Sequence, residues 1–153
     1  MKRIALVAHD NRKLDLVEWV EYNYKVLIKN KLICTGTTGT LVEKKLKNKL
    51  KKEEKIDFEI VKLKSGPLGG DQQLGALICE GKVDIIIFLW DPMEPLPHDV
   101  DVKALLRIAV LYNIPIACNR STADHLISSE LFFKTYTPIV KDYTKYIKRP
   151  IEI

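Results

Sequence analysis

The sequence predicts a doubly wound α/β fold: a mostly parallel sheet of five strands flanked by helices, Rossmann-like in layout. Three observations point there. Short apolar runs alternate with longer amphipathic stretches along the chain. One run, Val83–Trp90 (VDIIIFLW), is almost continuously apolar, as expected of a central strand covered on both faces. Most glycines fall just beyond the runs rather than inside them.

The elements follow in order. Arg3–Ala8 is the first strand, and Asp15–Ile28 carries apolar residues at helical spacing. Leu32–Thr35 is a short second strand, Gly36–Gly39 a turn, and Thr40–Leu50 a helix. Ile56–Leu63 alternates and is rich in β-branched and aromatic residues, which predicts the third strand. Ser65–Gly70 is a loop, and Asp71–Glu80 is a helix stopped by Gly81. Val83–Trp90 is the fourth strand. Asp91–Pro97 contains three prolines and is loop. Asp101–Tyr112 is a helix, Ile114–Cys118 the fifth strand, and Thr122–Ile127 helical. Leu131–Ile153 is mixed in pattern. No repeat, linker or low-complexity segment interrupts the 153 residues, so one domain spanning 1–153 is expected.

Composition narrows the functional classes. No apolar run is long enough to span a bilayer. Met1-Lys2-Arg3 leads into Ile4–Ala8, too short for the core of a secretion signal, so a cytoplasmic location is expected. The three cysteines, Cys34, Cys79 and Cys118, are odd in number and form no CxxC, which argues against a disulfide framework or a zinc site. Each sits in or beside an apolar run and is expected to be a buried thiol. Most of the net charge of +5 is local: Lys44–Lys55 holds seven lysines against Glu53 and Glu54. Without arginines or exposed aromatics beside it, the segment reads as a solvated helix face rather than a nucleic-acid patch.

In an open α/β sheet, ligands bind beyond the carboxyl ends of the strands. The residues there are His9, Asp10 and Lys13; Thr35, Gly36, Thr37, Thr38 and Gly39; Ser65, Gly66, Gly69, Gly70 and Asp71; and Asp91, His98, Asp99 and Asp101. The third histidine, His125, falls in a helix and reads as structural. The TGTTG segment suits a phosphate, because glycines admit an anion close to the backbone and hydroxyls add donors. It lacks the GK[ST] ending of a Walker loop. Lys13 adds a point charge. Asp71 reads either as a helix N-cap or as a general base. His98 and Asp101 are three apart, so a helix there could bring them to one face. The strand-end histidines and aspartates match no standard metal-ligand spacing. These residues by themselves describe an α/β domain that binds a phosphorylated small molecule. A phosphate sensor and a sugar-phosphate isomerase both remain compatible with them.

The segments ALVAHDNRK (5–13), CTGTTGTL (34–41), SGPLGGDQQLGALICEGKVD (65–84), LWDPMEPLPHDVDVKALLR (89–107) and NIPIACN (113–119) resemble methylglyoxal synthase. The correspondence is ordered and nearly unbroken from Ile4 to Tyr146. The resemblance implies a lyase that converts dihydroxyacetone phosphate to methylglyoxal and inorganic phosphate with no cofactor and no metal. It places the catalytic base on Asp71, with His98 and Asp101 as further catalytic residues. Substrate contacts fall on His9, Lys13, Thr35, Gly36, Thr37, Thr38, Ser65, Gly66 and His98. It also implies a homohexamer inhibited by phosphate, without nucleic-acid or membrane partners. A C-terminal arginine that in relatives reaches a neighbouring subunit corresponds to Arg149, here followed by Pro150.

Overall fold

The structure, a computed structural model, describes residues 1–50, 57–95, 97 and 99–150. Five strands form one sheet: β1 (Arg3–Ala8), β2 (Lys31–Cys34), β3 (Glu59–Lys62), β4 (Ile85–Leu89) and β5 (Ile116–Ala117). All neighbours are parallel, and the order across the sheet is β3-β2-β1-β4-β5. The helices are α1 (Lys13–Tyr22), α2 (Tyr24–Leu27), α3 (Gly36–Leu50), α4 (Gly70–Cys79), α5 (Asp99–Leu111), α6 (Arg120–Ser128), α7 (Glu130–Phe133) and α8 (Thr144–Ile147). Short 3₁₀ turns occupy Asp10–Arg12 and Gly66–Leu68.

Alternation along the central strands divides the core into two layers. Ile4, Leu6 and Ala8 of β1 join Leu32, Cys34, Ile85, Ile87 and Leu89 against Leu16, Trp19 and Val20 of α1 and Val42 and Leu46 of α3. The intervening Ala5 and Val7, with Ile33, Ile86 and Phe88, pack against Leu74 and Ile78 of α4 and Val102 and Leu105 of α5. Both faces of β1 and β4 are therefore covered, which is why these strands are apolar at nearly every position.

Several boundaries differ from the sequence reading. The helix expected over Asp15–Ile28 begins at Lys13 and breaks at Asn23, whose side-chain amide donates to the Trp19 carbonyl at 2.9 Å. The Asn23 N–H shares that carbonyl at 3.1 Å, and side-chain bonding back to the preceding turn bends a helix. The turn expected at Gly36–Gly39 is instead the first turn of α3. Helix α5 starts two residues earlier than expected, at Asp99. Of the expected third strand only Glu59–Lys62 pairs, and Ile56 lies outside the described residues.

The cysteines are not uniformly buried: Cys34 is buried, Cys118 half-buried and Cys79 exposed. Cys79 ends α4, on the helix surface rather than in the core. The lysine-rich segment is described as far as Leu50. There Lys45 and Lys49 both pair with Glu21, and Lys47 pairs with Glu43, as on a solvated helix face. Among the described residues no helix is long and apolar enough to cross a membrane.

Candidate active site

Strand order determines which loops meet. After β1 the chain moves toward β2, whereas after β4 it moves toward β5, so the connections diverge between these two neighbours. The carboxyl edge at such a switch point is where open α/β sheets hold ligands. A cavity of about 110 Å³ lies there, bounded by residues following β1, β2 and β3 and by the start of α4. It is much smaller than the ~300–1,000 Å³ of typical drug-sized sites, so it admits a compact ligand.

Five polar side chains are buried among the described residues: His9, Asn30, Thr35, Thr38 and Asp71. Four of them, all but Asn30, line this cavity. Buried polar groups are expensive unless satisfied, so their concentration at one place marks a functional constraint. A larger cavity of about 390 Å³ at the opposite edge, around Arg3, Asp84 and Tyr112, is lined by none of the five.

The anion cradle is built where α3 meets the exit of β3. Gly36 has φ of +39°, and a Cβ there would stand 2.7 Å from Cα and Cβ of Ser65. Only glycine lets the two segments touch. The Gly36 N–H donates to the carbonyls of Leu63 and Lys64 at 3.1 and 3.0 Å, which locks them together. The N–H groups of Thr37 and Thr38 follow in the first helical turn, where no preceding turn supplies carbonyl acceptors. With the helix dipole, such N–H groups suit an anion. Lys13 reaches over from α1, donating to the Thr37 hydroxyl and pairing with Asp10. The Lys13 ammonium, by hydrogen bond and charge, holds the Asp10 carboxyl below its usual range.

The Ser65–Gly70 loop is anchored at both ends. Ser65 accepts on its carbonyl from Leu68 N–H and Gly70 N–H at 3.0 and 2.9 Å. Gln73 Oε1, one turn into α4, accepts from Lys64 N–H at 2.8 Å. Gly69, at φ +96°, is the N-cap of α4, so Asp71 is not the cap. Asp71 lies in the first turn, 4% exposed, among the residues that line the cavity. This removes the N-cap alternative for Asp71.

His9 follows β1, packs edge-on against Phe88 at 5.2 Å between ring centroids, and accepts on Nδ1 from Asp91 N–H at 3.3 Å. The structure thus brings together His9, Lys13, Thr35, Gly36, Thr37, Thr38, Ser65, Gly66 and Asp71. Asp101 sits in the first turn of α5 and is not among the lining residues. His98 lies outside the described residues. His125, on the α6 surface, has its Nδ1 2.8 Å from the Ser121 carbonyl. Sequence reasoning gave no role to Asn11, whose amide donates to Asp91 Oδ2 at 3.3 Å; the two are 80 residues apart and no local pattern connects them. No group of three or more His, Cys, Asp or Glu side chains among the described residues could hold a metal ion.

The site can hold a small phosphorylated compound by its anionic end and present a carboxylate and an imidazole to the rest of it. The model of the MGS-like domain family matches residues 15–118. A methylglyoxal synthase of Maridesulfovibrio salexigens is 54% identical over 154 residues, covering 99% of this chain and 98% of the relative. One from Leptospira interrogans is 54% identical, covering 97% and 94%. A crystal structure of methylglyoxal synthase from Elizabethkingia anophelis NUHP1 superposes with a TM-score of 0.87 at 48% identity, covering 99% of this chain and 93% of that one.

Proposed function

The chain belongs to the methylglyoxal synthase family, and we propose that it converts dihydroxyacetone phosphate to methylglyoxal and inorganic phosphate in the carboxyl-edge cavity, with Asp71 as the base. The observation that carries this reading is the burial of Asp71 beside the anion cradle of Thr35–Thr38 and Ser65–Gly66.

Lys13, the N–H groups opening α3 and the Ser65–Gly66 loop hold the phosphate. Asp71 removes a proton from the hydroxymethyl carbon, and the C–H electron pair forms an enediolate across C1 and C2. His9 and His98 donate to its oxygens, where preplaced donors lower the barrier most. His98 carries the proton from the C1 oxygen to the C2 oxygen. The C1 oxyanion then becomes a carbonyl, the double bond moves to C2 and C3, and the C3–O bond breaks. Phosphate leaves with that electron pair, and the remaining enol tautomerises to methylglyoxal. The steps balance without a redox partner.

The outcome depends on one torsion. If the C3–O bond stands perpendicular to the enediolate plane, its antibonding orbital overlaps the π system and phosphate departs. If it lies in the plane, isomerisation results instead. Asp101 sets the local charge at the start of α5.

The chain acts as one domain over residues 1–153, in the cytoplasm, as a homohexamer inhibited by phosphate. Exposed apolar side chains on carboxyl-edge segments, Leu14, Leu68, Met93 and Val100, are what partner subunits would cover. Sedimentation would test the assembly.

The decisive experiment is incubation with dihydroxyacetone phosphate while both products are measured. Equimolar phosphate and methylglyoxal are expected. Glyceraldehyde 3-phosphate without phosphate release would make the protein an isomerase, and binding without turnover would make it a sensor. Asp71→Asn should abolish turnover yet still bind an enediolate analogue; near-normal activity would remove Asp71 as the base.

A further inference from the structure

The imidazole of His9 is fixed on one side by a contact that the reaction steps do not use. The backbone N–H of Asp91 donates to His9 Nδ1 at 3.3 Å. A ring nitrogen that accepts from an amide carries no proton, which assigns the proton of the neutral ring to Nε2. A second proton on Nδ1 would set two N–H groups against each other, so the same contact opposes the imidazolium.

The Asp91 side chain holds that N–H in place. Its Oδ1 accepts from Met93 N–H at 3.0 Å, closing a turn, and its Oδ2 accepts from the Asn11 amide at 3.3 Å. Asn11 stands in the 3₁₀ turn two residues beyond His9. It therefore ties the loop after β1 to the loop after β4, the two strands between which the connections diverge.

We propose that Asn11 is a positioning residue for the elimination: through Asp91 it keeps His9 a neutral donor protonated on Nε2. This rests on the reading of the cavity as the dihydroxyacetone phosphate site. A neutral imidazole can polarise the carbonyl and follow the enediolate oxygen without surrendering its own proton too readily. The charged groups around His9 among the described residues are Asp10 and Arg12 on the following turn, Lys13 on α1, Asp71 on α4 and Asp91 itself. Three carboxylates against two cations would favour the imidazolium. The amide contact opposes it, as does burial of the ring, and Asn11 helps to keep that amide aligned.

Nitrogen-15 histidine spectra of the substrate-free protein, with the pH profile of methylglyoxal formation, test this. Wild-type His9 should show the Nε2–H tautomer, and its titration midpoint sets the reference for the variants. In Asn11→Ala, a change at an exposed position, the tautomers should mix, the midpoint should rise, and the acid limb of kcat/KM should move up with it. A shift of half a unit lowers kcat/KM on that limb about threefold and leaves the value near pH 8 within about twofold. Asn11→Gln, which keeps an amide donor, should return both readouts toward wild type. An unchanged His9 tautomer and midpoint in Asn11→Ala would overturn the proposal, as would a loss of activity equal at every pH. The spectra need no substrate. Failure to release phosphate from dihydroxyacetone phosphate would overturn the reading of the cavity and leave the spectra to decide the role of Asn11.

Discussion

A Cβ built on Gly70 would stand 2.0 Å from the carbonyl oxygen of Lys64. The first turn of α4 and the exit of β3 thus meet backbone to backbone. Asp71 is carried by one of these surfaces and Ser65 by the other. The separation of Asp71 from Ser65 is set by this contact, since neither backbone has a flexible side chain to yield.

Gly70→Ala should therefore damage the site more than the fold. Overpacking of this kind costs ~1–3 kcal/mol. Moving a reacting group by about 1 Å can cost about 100-fold in rate. We expect kcat/KM to fall by that order while a denaturant melt remains cooperative. Wild-type activity with Gly70→Ala would show that the contact does not set catalytic geometry.

Lys13→Met removes the cation at the mouth of the cradle. A hydrogen bond to a charged partner contributes ~1.5–3 kcal/mol, about 10–100-fold in affinity. KM should rise by that factor with a smaller change in kcat, and phosphate inhibition should weaken in parallel. Steady-state kinetics with added phosphate measure both. A loss confined to kcat would place Lys13 in the chemical step.

Arg3 and Asp84 join the amino ends of β1 and β4 through side-chain contacts of 2.6 and 3.0 Å and a backbone bond of 2.6 Å. Burial alone would push the Asp84 carboxyl up, but the bonds from Arg3 outweigh it and hold the group below its ordinary value of 3.8. A depressed carboxyl contributes stability that is complete above the unfolded value and is lost as pH falls through the folded one. Arg3→Ala should lower stability at neutral pH by ~1 kcal/mol, the partial exposure of the pair limiting the effect. As pH falls below the ordinary 3.8 and through the depressed folded value, the difference should shrink. Urea melts at both pH values check the sign.

Burial pushes the Cys34 thiol up to about 12 from an ordinary 9.0, while Cys79 is exposed. At pH 8 a maleimide should label Cys79 readily. Cys34 should react far more slowly, and freely only after unfolding. Peptide mapping of the labelled protein measures this. Prompt labelling of Cys34 in the native protein would contradict its placement beneath the cradle.

Much of the site was legible in the chain before folding. The glycines of GTTG and GPLGG, the hydroxyls beside them and Asp71 after them mark the edge where the cavity forms, because only particular residue types tolerate close backbone approach. Other features left no local trace. Helix α1 ends at Asn23, whose side-chain amide joins its own N–H on the Trp19 carbonyl, a local bond that periodicity does not register. The segment Gly36–Gly39 reads as a turn by composition, yet it is helical because Gly36 is held by carbonyls arriving from Leu63 and Lys64.

The sequence by itself determined which stretches become strands, which faces they bury, where the backbone must come close, and the family to which the chain belongs. These follow from side-chain periodicity and backbone sterics, both of which act over a few residues. Only the tertiary structure decided the order β3-β2-β1-β4-β5. That order places Lys13, Thr37, Ser65 and Asp71 around one cavity and sets the Asp91 N–H on His9. The reason is physical: neighbouring strands are chosen by contacts between residues far apart in the chain, and the proton position on an imidazole depends on what those contacts bring beside it.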